Sequence, residues 1–110
     1  MNDMQLGPQM TVEGFYLNKA TDVVDKAERF AQAIELVQHE VGSATAKFPP
    51  FNSAHEGYAV LLEEVDELWE IVKLKQKNRD LSALRKEAVQ VAAMAIRFLT
   101  DICNEEMIRK

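Results

Sequence analysis

Tyr58-Ala-Val-Leu-Leu-Glu-Glu-Val-Asp-Glu-Leu-Trp-Glu-Ile-Val72 is the stretch whose reading decides the fold of this 110-residue chain. Tyr58, Leu61, Leu62, Val65, Leu68, Trp69 and Val72 recur at three- and four-residue intervals, the pattern of an amphipathic helix with a wide apolar face. That face is expected to make core. At about 100° per residue, Val60, Glu64, Glu67 and Ile71 fall on a narrower stripe beside it, while Glu63, Asp66 and Glu70 point further round. A solvated acidic face has no need of Val60 and Ile71 in the same row. Glu64 and Glu67 are therefore expected half-buried against another helix, where a cation or a basic side chain must compensate them.

Working outward, Ser53-Ala-His-Glu56 reads as a serine-x-x-glutamate capping box that starts this helix, which is expected to run to about Gln76. Before it, Phe48-Pro49-Pro50-Phe51 stops a first helix, expected from Thr21 to about Ala46. After it, Asn78-Arg79-Asp80 is a short connection with Asp80 as N-cap, and a third helix is expected from Leu81 to Glu106. Gly7-Pro8 and Gly14 break any regular pattern near the start, so residues 1–20 read as a flexible arm and 21–110 as one all-α domain. The third helix carries two adjoining apolar stripes, one through Leu84, Ala88, Val91, Ala92, Ala95, Ile96, Leu99 and Ile102, the other through Glu87, Val91, Met94 and Phe98. Three helices cannot cover both, so the expected architecture is a helical bundle completed by dimer or tetramer assembly.

Composition narrows the function classes. A net charge of −5 argues against binding a nucleic-acid polymer, which needs clustered Lys and Arg. The longest nearly apolar run, Ala88 to Leu99, is broken by Gln90 and Arg97 and is too short to span a bilayer. The first residues lack the basic start and apolar centre of a signal peptide, and the single Cys103 leaves no internal disulfide, so a cytoplasmic location is expected. A phosphorylated small molecule can still bind an acidic pocket if a divalent cation bridges carboxylates to phosphates.

Glu87 and Gln90 on the third helix repeat the three-residue spacing of Glu64 and Glu67. Two such pairs on antiparallel helices can converge on one cation, and oxygen ligands without histidine or cysteine suit magnesium or manganese. The competing reading is a buried salt-bridge network. Glu63-Glu64-Val65-Asp66-Glu67 and Glu87-Ala88-Val89-Gln90 resemble, in sequence and order, the E-E-x-x-E and E-x-x-D signatures of the MazG-like all-α nucleoside triphosphate pyrophosphohydrolases. The resemblance covers about Thr21 to Cys103. It implies that Glu64, Glu67 and Glu87, with Gln90, hold magnesium, that Glu63 acts beside them as a base or supporting group, and that a (deoxy)nucleoside triphosphate is hydrolysed to monophosphate and pyrophosphate. Gln90 departs from the pattern: its amide oxygen can ligate a metal but brings no charge and cannot act as a base. A noncatalytic module that keeps the fold and binds a nucleotide or protein partner is the alternative.

Around these residues, Arg97 lies one heptad beyond Gln90 and can meet either a phosphate or a neighbouring carboxylate. Lys47 and Arg79 are weaker phosphate candidates beside their reading as solvated loop charge. Phe48, Phe51 and Tyr58 flank the proline loop and are candidates for a nucleobase wall.

Overall fold

The computed structural model describes the backbone of residues 14–106 and the side chains of residues 25–106. Helix α1 spans Gly14–Lys47, α2 spans Ala54–Val72, a 3-10 turn η1 covers Gln76–Asn78 and α3 spans Leu81–Asp101, with no strand among the described residues. The all-α expectation holds. The first helix, however, already includes residues 14–20, ahead of the expected start at Thr21, so Gly14 lies in a helix where a break was expected. Residues 1–13 of the expected arm lie outside the described residues.

The chain divides into two compact units, residues 1–34 and 35–110. The described part of the first is the leading portion of α1, with Phe30 and Ile34 exposed. The second holds everything else, including the last three turns of α1.

Within the second unit Ser53 caps α2 as expected, while the returning Glu56 bond goes to the Asn52 N–H in place of the Ser53 N–H. The Ser53 hydroxyl accepts from the Glu56 N–H at 3.1 Å, and the Glu56 carboxylate reaches back to accept from the Asn52 N–H. Asp80 caps α3 by accepting from the N–H groups of Ser82 and Ala83. The far ends differ from expectation. Helix α2 stops at Val72 instead of Gln76 because Arg79 folds back on it, its guanidinium donating to the carbonyls of Val72 at 2.6 Å and Leu74 at 3.1 Å. Those orphan carbonyls would otherwise need a continuing turn. Helix α3 stops at Asp101 instead of Glu106, where the Asn104 amide donates to the carbonyls of Thr100 and Asp101.

Helices α2 and α3 lie antiparallel, with Gly57 against Phe98 at one end and Glu64 and Glu67 beside Glu87 further along. Gly57 is buried, and a Cβ placed there would stand 2.7 Å from the Phe98 ring and 3.1 Å from the Phe51 ring. The absent side chain is what lets the helices close. The core proper is small: Ala44 from α1, Phe51 from the loop, and Ala93 and Met94 from α3, with Val37, Val41, Val60, Leu61 and Ile102 packed around it.

A second lock joins the proline loop to α3. Buried Arg97 donates to the Pro49 carbonyl at 2.9 Å and lies over the Phe51 ring at 4.7 Å from its centre. One turn on, the Asp101 carboxylate accepts from the Phe51 N–H at 3.1 Å and stands 3.8 Å from the Arg97 guanidinium. Arg97 can be buried because carbonyl, ring and carboxylate together replace its water.

The expected inner face of α2 is corrected here. Leu61, Leu68 and Val72 are half-buried, but Tyr58, Leu62, Val65 and Trp69 are exposed. It is the narrower stripe, Val60, Glu64 and Ile71, that is half-buried with them. The wide apolar face is split, and a single partner helix covers only the side that carries the carboxylates.

Two glycines give opposite outcomes on substitution. Gly57→Ala is expected to destabilise the chain by about 1–2 kcal/mol, because overpacking outweighs the gain in helix propensity. Gly42→Ala, whose new methyl meets nothing within 4 Å, should stabilise it by about 0.5–1 kcal/mol. Thermal and urea midpoints of the two variants check both signs.

Candidate metal centre

Glu64 and Glu67 stand one turn apart on α2, and the antiparallel register brings Glu87 of α3 to meet them. One oxygen from each carboxylate lies within 4.8 Å of the other two. Glu64 and Glu87 are half-buried and Glu67 is exposed, so the cluster opens to solvent on the Glu67 side. One oxygen of Glu87 is buried and has no hydrogen-bond partner among the described residues. A buried carboxylate oxygen without a donor is a costly arrangement in a protein that is otherwise well capped.

The electrostatics follow from this placement. Burial first, then the charges of Glu67, Glu87 and Glu63, hold the Glu64 carboxyl above its ordinary value, and a hydrogen bond with Glu67 adds to the effect. Glu87 is raised in the same way, by burial and then by the charge of Glu67 and a hydrogen bond with it, against a smaller opposing pull from Lys86. Three acidic groups drawn together with little cationic relief favour either a shared proton or a cation.

A hard divalent cation suits this donor set. It accepts carboxylate oxygens alone, it would satisfy the orphaned Glu87 oxygen, and its charge would reverse the penalty on Glu64 and Glu87. The buried salt-bridge alternative has no support among the described residues: the ion pairs there join Lys73 to Glu70 and Arg97 to Asp101, away from the three glutamates. Gln90, one turn beyond Glu87 on α3, is half-buried. Glu63 is exposed and reaches the cluster through its charge on Glu64.

The other sequence candidates separate into two groups. Lys47, Phe48 and Tyr58 are exposed and free to meet a ligand. Phe51 is instead part of the core, Arg97 is buried in the lock on the proline loop, and Arg79 is bound to the end of α2. These three have structural work that explains them without a phosphate or a base. Asp101, which holds the proline loop through the Phe51 N–H, was not visible as a structural residue in the sequence, since its partner is a backbone group far along the chain.

No family model, curated protein or solved structure matches this chain.

The raised groups fix the sign of a pH dependence. Because Glu64 and Glu87 hold protons more tightly folded than unfolded, the stability they contribute is complete below the ordinary glutamate value of 4.5 and is lost as pH rises through their raised values. The metal-free chain should therefore lose thermal stability as the pH rises above the ordinary glutamate value of 4.5. Glu67→Gln, which removes the like charge acting on both, should flatten that decline and raise the neutral-pH midpoint by a few degrees. Thermal melts in chelator across the pH range measure this.

Proposed function

We propose that the chain is a magnesium-dependent nucleoside triphosphate pyrophosphohydrolase similar to the MazG-like family, acting in the cytoplasm as a homodimer or homotetramer. Manganese is expected to substitute for magnesium. The observation that supports the reading is the convergence of Glu64, Glu67 and Glu87 from two helices around an orphaned, buried Glu87 oxygen. The sequence resemblance singles out the same three glutamates as ligands.

Glu64, Glu67 and Glu87 would hold the ion, with the Gln90 amide as a neutral fourth donor. When bound, the ion supplies charge neutralisation on the phosphates and acidifies a water for attack on the α-phosphoryl group. The chain's own residues do the rest. Glu63, exposed beside the cluster, is assigned as the proton acceptor for that water. Tyr58, exposed near the start of α2, is assigned to the base on its sequence position beside the proline loop. Exposed Phe48 and Lys47 flank the same end of α2 and are assigned to the base and to phosphate charge.

Half-burial of the carboxylates serves this chemistry in two ways. It strengthens their attraction for a doubly charged ion relative to carboxylates in water, and it limits the number of solvent molecules competing for the attacking position. The neutral Gln90 leaves the site one negative charge short of the family pattern, so cation affinity should be modest and respond strongly to its restoration.

Two measurements test the reading. Magnesium at about 100 times its dissociation constant should add about 2.7 kcal/mol, or roughly ten degrees in the thermal midpoint, and Glu67→Gln or Glu87→Gln should abolish that gain. Pyrophosphate release from a panel of ribo- and deoxynucleoside triphosphates should fall about 100-fold or more in kcat/KM with either variant. Gln90→Asp should tighten magnesium binding. Stabilisation by magnesium without release from any nucleotide would favour the noncatalytic binding module, and no stabilisation would end the metal reading.

A further inference from the structure

The sequence around the glutamate of α3 repeats the one around the glutamates of α2, with a change of charge. Glu63-Glu64-x-x-Glu67 on α2 is matched by Lys86-Glu87-x-x-Gln90 on α3, so Lys86 holds the place that Glu63 holds. At about 100° per residue, Glu63 and Glu67 lie roughly 100° and 60° round α2 from Glu64. Lys86 and Gln90 lie at the same angles, in the same sense, from Glu87. Between antiparallel helices equal senses fall on one flank of the seam. That flank is the open one: Glu63, Glu67 and Lys86 are exposed on it, whereas Leu61 and Leu68, turned the other way from Glu64, are half-buried. Because the helices run in opposite directions and Glu87 meets both Glu64 and Glu67, Lys86 stands level with Glu67, the exposed member of the cluster.

A cation therefore sits at the mouth of the carboxylate cluster without being consumed by it. The Lys86 charge reaches Glu87, yet the ion pairs among the described residues join Lys73 to Glu70 and Arg97 to Asp101, and none engages Lys86. Its neighbourhood extends the same sign. Residues 73–86 carry six basic side chains and one acidic one in a chain of net charge −5, so the turn joining α2 to α3 is positive while the rest of the chain is strongly negative. An anion lying along the seam is drawn toward that turn. Three carboxylates beside Lys86 repel a free anion. Once a divalent ion neutralises most of their charge, a phosphate chain can meet the ion with one group and the ammonium with the next.

We infer that Lys86 binds the terminal phosphates of a nucleotide whose inner phosphate is carried at Glu64, Glu67 and Glu87, so that the phosphate chain runs along the open flank toward the α2–α3 turn. This rests on the proposed function and adds the direction of the substrate and the ground for choosing a triphosphate: a monophosphate satisfies the ion but leaves Lys86 without a partner. It also gives the leaving group a place. The oxygen of the attacking water bonds to the α-phosphorus, the bond from that phosphorus to the bridging oxygen breaks, and the water's proton passes to Glu63. Lys86 holds the pyrophosphate, which departs with the electron pair.

The experiment uses the full chain in magnesium, titrated calorimetrically with α,β-imido analogues of the common ribo- and deoxynucleoside triphosphates and, separately, with the corresponding monophosphates. Lys86→Gln should weaken triphosphate binding by about 10- to 100-fold, the effect of one charge-assisted hydrogen bond, and monophosphate binding by less than about 3-fold. Lys86→Arg, which keeps the charge, should recover most of the triphosphate affinity. In turnover the loss should fall on KM more than on kcat. Because Lys86 is exposed, the nucleotide-free melting temperature of Lys86→Gln should match that of the parent, and magnesium should still raise it. Equal weakening of tri- and monophosphate, an unchanged triphosphate affinity, or a lowered nucleotide-free melting temperature each overturns the role of Lys86 and leaves the metal site standing. A parent chain that is stabilised by magnesium but binds no triphosphate overturns this inference together with the nucleotide reading, and one that is not stabilised by magnesium removes the metal site as well.

Discussion

Like charges held together in a half-dry seam are the constraint on which the rest of this molecule depends. Glu64, Glu67 and Glu87 repel one another and lose hydration between α2 and α3, and the seam closes nonetheless. The force closing it is local and sits at its ends. Gly57 lets the helices touch where Phe98 and Phe51 pack, and Arg97 and Asp101 fasten the proline loop to the end of α3. At the other end Arg79 ties the α2 carbonyls and Asp80 opens α3. Between these fixed ends the glutamates have no freedom to separate by sliding. Any cation they attract meets a prepared cluster.

In that division of labour Arg97 and Arg79 hold the ends of the seam. The Arg97 guanidinium is buried against a carbonyl, a ring and a carboxylate, and drawing it away would leave Pro49 and Asp101 without their partner. Arg79 is bound in the same sense, to backbone.

Much of this was legible in the sequence because it depends on local periodicity. The capping box at Ser53, the N-cap at Asp80, the all-α class and the grouping of Glu64, Glu67 and Glu87 all follow from residue type and a 3.6-residue repeat. Three things were not. The end of α2 is set by Arg79 returning from the next loop, the burial of Phe51 and Arg97 is set by a contact across about half the chain, and α1 includes Gly14, where a break was expected. None of these leaves a periodic trace. The wide apolar face of α2 was read correctly as apolar and wrongly as wholly internal, since hydropathy records that a face must be covered and not by what.

That misreading carries the last step. A helix with apolar residues over more than half its circumference can bury them against one neighbour only if the neighbour wraps it, which a straight helix cannot do. In α2 the half turned toward α3 carries Val60, Leu61, Leu68, Ile71 and Val72 together with Glu64, and Tyr58, Leu62, Val65 and Trp69 are left outside. A chain optimised for monomeric stability would have placed Tyr58, Leu62, Val65 and Trp69 inward and the acids outward. The reverse arrangement gives up core within one chain to set carboxylates in the seam. The carboxylate cluster and the exposed apolar stripe are then two consequences of one rotation of the same helix about its axis.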